Sequence, residues 1–208
     1  MMKKKTVTGI LLALSLFCTA CSSAVADENS GIPTEEQIAA VKDELGNDLE
    51  ELKFSVDGKV YQYPVRMQEM QDNGWYIDQE AARELKTLPG NVITTAFTLR
   101  KNRDGDYPIT SCSVRAENVS NSEIEIGQST LGHITFYREK GATVILPQGI
   151  TWDSTFDDVC AAYHPADDCI IDSNGMQMIQ FSNADYSGRM TIEFNSDTHK
   201  IKSIEFWR

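Results

Sequence analysis

Residues 189–207 read RMTIEFNSDTHKIKSIEFW, and the pattern in this stretch decides the class of fold. Met190, Ile192 and Phe194 alternate with polar residues, and so do Ile204 and Phe206. A period of two sends successive side chains to opposite faces of a strand, so these are two strands with one apolar and one polar face. Ser196-Asp197-Thr198 between them has the composition of a hairpin turn. Such strands pack one face on a core and leave the other wet.

Working towards the N-terminus, Cys169 to Asp172 and Met176 to Phe181 read as two more strands, joined by Ser173-Asn174-Gly175 and followed by a longer turn from Ser182 to Gly188. Ahead of them Phe156, Val159, Cys160 and Tyr163 recur at helical spacing and mark the buried side of a helix from about Ser154 to Tyr163. Asp153 or Ser154 can cap it, and Asp157 and Asp158 suit the positive end of its dipole. With a short strand from Ala142 to Leu146, residues 141–208 form one expected unit: a helix plus a four-stranded antiparallel sheet.

Residues 53–140 form a second such unit. Phe54-Ser55-Val56 and Val60-Tyr61-Gln62-Tyr63 flank Asp57-Gly58, the chemistry of a tight hairpin turn. Val65, Met67 and Met70 give a short helix its apolar face, with Gly74 as its stop. Strands are expected over Asn91 to Arg100, Ile109 to Asn118 and His133 to Tyr137. The fold class is therefore α+β, with short helices on antiparallel sheets in two related helix-plus-sheet units. Before both, residues 34–52 read as an amphipathic helix, with Thr34 and Gln37 fitting a capping box and Ile38, Val41, Leu45, Leu49 and Leu52 forming the apolar stripe. Gly46-Asn47 interrupts that stripe.

The N-terminus carries a different signal. Lys3, Lys4 and Lys5 precede an apolar run from Val7 to Phe17, and small residues follow at Thr19-Ala20. That is the layout of a secretory signal, and the run is shorter than the ~20 apolar residues a membrane-spanning helix needs. Thr19-Ala20-Cys21 resembles the lipobox of bacterial lipoproteins, with Cys18 where leucine is usual. The resemblance implies a signal peptide over 1–20, lipidation of Cys21 by diacylglycerol, and an extracytoplasmic protein anchored to the cell membrane by acyl chains. Two or more such chains hold stably, at roughly 0.8 kcal/mol per buried CH₂. Residues 21–33, small, polar or acidic, then form a tether. A competing cut lies after Ala24-Val25-Ala26, and would release an unanchored inhibitor or small-ligand-binding protein.

The formal net charge of −12 repels anionic surfaces, so nucleic acid is not an expected partner. Cys112, Cys160 and Cys169 remain beside Cys21, and Cys160 with Cys169 is the candidate disulfide, the alternative being small buried thiols. No metal or cofactor is expected, since their spacing is not that of a zinc site. Asn102, Asp104 and Asp106 have the spacing of the first EF-hand ligands, but the glycine falls at 105 rather than 107 and Ser113 stands where the bidentate Glu belongs, so a solvated hairpin turn is expected. No hydrolase, metalloprotease or nucleotide-binding motif occurs, so no enzyme is expected. His164 with Asp167, Asp168 and Cys169 is the residual metal candidate, against a polar helix-to-strand loop.

Gly149-Ile150-Thr151, Phe156-Asp157-Asp158-Val159 and Tyr163-His164-Pro165 resemble the signature of β-lactamase-inhibitor-like and outer-membrane assembly lipoprotein modules. The resemblance covers Pro147 to Arg208 and implies a helical segment on one face of an antiparallel sheet. The lipobox, the F-x-x-D-G-x-x-Y hairpin and the L-P-x-G-I-T stretch together resemble small uncharacterised lipoproteins of Gram-positive-type bacteria, which carry no assigned activity. Trp75, Tyr76, Trp152 and Trp207 are candidate anchors for a protein or peptide partner, the alternative being that they fill the core. The expected function is a non-enzymatic binding role towards an envelope protein or peptide through the sheet face.

Overall fold

The computed structural model describes residues 31–102, 110–173 and 175–208. Residues 1–20, Cys21 and the Ala26 cut lie outside them, as does most of the loop tested for calcium ligands. The first helix, α1 (Glu35–Leu45), starts at the expected capping box: Thr34 accepts from the Gln37 backbone N–H, and the Gln37 side chain accepts from the Thr34 N–H. It stops eleven residues in, short of the expected residue 52, because Gly46 turns to φ 66°. Leu49 and Leu52 do not extend its stripe. Leu52, at φ 48°, enters the main core from a turn.

The hairpin at Asp57-Gly58 forms as read. Lys53–Val56 (β1) and Lys59–Gln62 (β2) pair up to Val56 opposite Lys59, with Asp57 at φ 49° and Gly58 at φ 80°. Both central residues at positive φ give the turn whose twist matches the strands. Val65–Arg66 (β3), Met67–Asp72 (α2), Trp75–Ile77 (β4) and Gln79–Ala82 (α3) follow. Val65 thus stands in a strand, while Met67 and Met70 carry the helix's apolar face. Thr87–Leu88 (β5), Val92–Ile93 (β6) and Phe97–Lys101 (β7) come next, so the single strand expected over Asn91 to Arg100 is divided in two. Thr110–Asn118 (β8) pairs with both halves.

Ile124–Glu125 (β9) pairs with β5, and Thr130–Tyr137 (β10) begins three residues before the expected His133. Gly132 is the reason. Leu131 lies opposite Ala116 and His133 opposite Arg115, so Gly132 is the extra residue of a bulge, where an added Cβ would come within 1.7 Å of the Glu117 carboxylate. Val144–Leu146 (β11), Ile150–Thr151 (β12) and Phe156–Tyr163 (α4) lead to Ile170–Ser173 (β13), Met176–Ser182 (β14), Arg189–Phe194 (β15) and Ile201–Trp207 (β16). The cap of α4 is Thr155, which accepts from the Asp158 N–H and donates to the Asp158 carboxylate. Asp153 and Ser154 are engaged elsewhere: Asp153 pairs with Lys200 at 2.7 Å and Arg138 at 2.9 Å, and the Ser154 hydroxyl accepts from the Thr151 N–H.

The strands form one four-stranded sheet, β12-β11-β1-β2, and a larger one whose path runs β13-β14-β15-β16-β10-β8-β7-β4. All pairings are antiparallel, giving a mostly-sheet α+β fold. Both sheets cross the boundary expected at residue 140, through β1 with β11 and β10 with β16. The two sheets face each other: Phe54 stacks on Phe206 at 4.3 Å and lies 5.8 Å from Phe136. On the far side of the small sheet α1 packs Val41 and Leu45 against Ile145. On the inner side of the large sheet α4 sets Phe156 against Phe194 and Tyr163 against Phe181. The order is helix, small sheet, large sheet, and α3 borders the outer face of the large sheet at its β4–β7 end, where Gln79, Glu80 and Arg83 line a cleft with Tyr76 and Arg100.

Candidate functional site

That outer face follows directly from the alternation in β15 and β16. Met190, Ile192, Phe194, Ile204 and Phe206 are buried towards the small sheet, so Arg189, Thr191, Glu193, Ser203, Glu205 and Trp207 point outward. Register then sets the outward residues in rows across the strands. One row runs Arg189, Trp207, His133, Arg115; the next runs Gln180, Thr191, Glu205, Thr135, Ser113, Thr98. A β-bulge places Lys202 beside Glu193 without disturbing either row, since Phe194 pairs with Ile201 and Glu193 with Ser203.

The acids of this face are already paired. Glu205 contacts the His133 Nε2, and Glu193 accepts from Lys202 at 2.7 Å and from the Ser203 hydroxyl at 2.9 Å. The Glu193 carboxylate also pushes the Lys202 ammonium above the usual lysine range. The two arginines of the first row are different. Arg189 lies over the Trp207 ring at 4.7 Å, Arg115 is exposed, and neither makes an ion pair among the described residues. Trp207 donates to Thr191 at 3.3 Å, which fixes the indole edge and leaves its outward surface half-exposed.

His133 cannot run a hydroxyl relay in this arrangement. Thr135 Oγ1, at 3.3 Å, and Glu205 both meet Nε2, whereas such a relay needs one ring nitrogen for each; Nδ1 is buried without a partner. Cys112 and Cys160 are not activated nucleophiles either. Burial, with Asp57 nearby, pushes the Cys112 thiol well up, and burial raises Cys160 with help from Asp157. A reactive cysteine needs the opposite shift.

The candidate residues separate into two groups. Trp75 and Trp152 are 2 % and 0 % exposed, so these two expected partner contacts are core residues. Trp152 donates to the Ala142 carbonyl at 2.6 Å, and Trp75 meets Phe136 edge-on. Their size drives them inside, where a large ring removes the most apolar area from water. Tyr76 does reach the outer face, on β4, opposite Arg100 and donating to Asn102 at 2.9 Å. There Arg100 pairs with Asp78, whose carboxyl is held low by the Glu80 N–H and by Arg100. Nothing in the sequence singles out Arg115 or Arg189, and His133, at a strand start among apolar residues, reads as structural. Their outward direction is legible in the alternation, but not that β8, β10 and β15, far apart in the chain, would align them.

Cys112, Cys160 and Cys169 are all free. The expected Cys160–Cys169 bridge is not formed, because Cys160 packs on the core from α4 whereas Cys169 lines an open cleft and contacts Asp168 at 3.8 Å. That cleft, ≈ 370 Å³, lies between residues 47–50, the end of α4 and β14, and brings His164 and Cys169 together without Asp167 or Asp168. His164 is there as the left-handed cap of α4, at φ 47°. Among the described residues no group of three or more His, Cys, Asp or Glu could hold a metal ion. No protein family, curated protein or solved structure matches the chain.

Proposed function

We propose that the chain is a lipoprotein, joined through Cys21 to diacylglycerol on the extracytoplasmic side of the cell membrane, that binds an envelope protein or peptide and catalyses nothing. On this reading it resembles the small lipoproteins of Gram-positive-type bacteria, with a C-terminal third on the inhibitor-like or assembly-module plan. The observation that carries the binding role is the outer face of the large sheet, where register aligns an indole, two arginines and a row of hydroxyls. Tryptophan and arginine supply much of the contact energy at protein interfaces. The anchor rests on Thr19-Ala20-Cys21, and the three lysines before the apolar run give it the orientation of an exported chain. No helix among the described residues is long and apolar enough to cross a membrane.

Two experiments separate the parts of the proposal. Palmitate should label the wild-type chain in its host and not Cys21→Ser; a labelled serine variant, or a mature terminus at Asp27, contradicts the anchor and supports release after Ala26. For the binding role, Thr98→Lys with Thr191→Lys puts two bulky charges on the outer face without entering the core. Detergent-solubilised envelopes should yield a partner with the wild type and with Glu36→Lys on α1, and lose it with the face variant. Equal capture by the face variant contradicts binding there.

A further inference from the structure

The row Arg189, Trp207, His133, Arg115 has a geometry that selects a ligand. Its four residues stand on four adjacent strands, β15, β16, β10 and β8, so its ends are three strand spacings apart, ~14 Å. An extended peptide advances ~3.3 Å per residue and presents residues i, i+2 and i+4 on one face, so its residues i and i+4 lie ~13 Å apart. The two lengths agree. Resting on the sheet-face reading above, we propose that this row binds an extended acidic peptide segment, laid across the strands, with carboxylates four residues apart on Arg189 and Arg115 and an apolar side chain between them over Trp207.

Charge distribution supports an acidic occupant. The protein as a whole carries −12, yet on this face Glu193 is paired with Lys202 and Glu205 is hydrogen-bonded to His133, while both arginines of the row have no carboxylate partner among the described residues. Two forks without a local acid attract an external one, and a guanidinium binds a carboxylate with two parallel hydrogen bonds. Stacking on Trp207 holds the Arg189 side chain in place, so less freedom is lost on binding. The middle of the row favours a peptide over a chain of evenly spaced anions, because the half-exposed indole offers an apolar surface where such a chain would place another charge.

The test uses the purified protein and the peptide Thr-Glu-Thr-Ile-Thr-Glu-Thr, read by anisotropy and by Trp fluorescence. Comparison peptides replace both Glu by Gln or set the acids three residues apart, and polygalacturonate serves as the polysaccharide arm. The proposal predicts binding of the first peptide that weakens about tenfold or more with Arg115→Gln, with Arg189→Gln, with the Gln peptide and with the three-residue spacing. It also predicts a steep loss between 50 and 500 mM salt, on the order expected for exposed ion pairs. Arg115→Lys, which keeps the charge and loses the fork, should fall between. Arg115 is exposed, so that variant should keep the wild-type melting temperature. Equal affinity for the Gln peptide or for the arginine variants overturns the acidic assignment while leaving a peptide-binding face. Binding of polygalacturonate but of no peptide overturns the choice of occupant. Failure of every probe overturns the inference, and the envelope capture with the Thr98/Thr191 variant then decides separately whether the face docks a protein at all.

Discussion

Trp152 illustrates how one side chain can point to two roles in a sequence and have one in the fold. It is fully buried and its indole N–H reaches the Ala142 carbonyl, so Trp152→Ala should cost about 3–5 kcal/mol in chemical denaturation, the range for emptying an aromatic core site. A surface anchor would lose binding with little loss of stability. Gly132 sits at the other extreme of size. An added Cβ there would strike the Glu117 carboxylate, which is held by Arg208, and the Gly132 carbonyl accepts from Tyr63 at 2.6 Å. Gly132→Ala should therefore destabilise by about 1–3 kcal/mol, and by clearly less in a Glu117→Ala background, because the clash is with that one side chain. Asp153 gives a pH signature. Lys200 and Arg138 hold its carboxyl below the ordinary aspartate value, so the stabilisation is complete above the unfolded value near 4 and is lost as pH falls through the folded one. Asp153→Asn should therefore lower stability at pH 7 and lose that deficit as the pH falls below about 4, giving a flatter acid limb than the wild type, as followed by circular dichroism. A parallel acid limb in the variant would place the acid sensitivity elsewhere.

At the scale of elements, the local signals were legible where one short-range interaction decides the outcome. The capping box at Thr34, the turn at Asp57-Gly58 and the alternation of β15 and β16 each depend on residues within a few positions of one another. Boundaries moved where a distant partner intervened. Thr155 rather than Asp153 caps α4 because Asp153 is claimed by Lys200, 47 positions away, and Leu52 leaves the α1 stripe to join the core under Gly188 and Tyr63. The outer face was half legible. The pattern tells which residues of each strand point away from the core, but the rows arise from β10 pairing with β16 and β8, and nothing local encodes that register. Gly58, at φ 80° in the hairpin turn, should tolerate replacement by Ala at a cost of about 1 kcal/mol, since no atom crowds its Cβ and only the backbone is strained.

For the whole molecule, the shared sheets have a folding consequence. Phe54 from the first half stacks on Phe206 from the second, and each half's apolar sheet face is covered by strands of the other. Neither residues 31–140 nor 141–208 expressed alone should fold, as judged by amide dispersion in NMR spectra, because each would expose that face to water. A cooperative spectrum from either piece would restore the picture of two self-sufficient units. The same layering is why the proposed partner is assigned to the large sheet's outer face, since α1 covers the small sheet on its far side and the core lies between. A photoreactive amino acid placed at Thr191 on that face, and separately at Glu36 on α1, tests the claim most directly in the native envelope. The account predicts a discrete crosslinked adduct from position 191 and none from position 36; adducts from position 36 alone would contradict it.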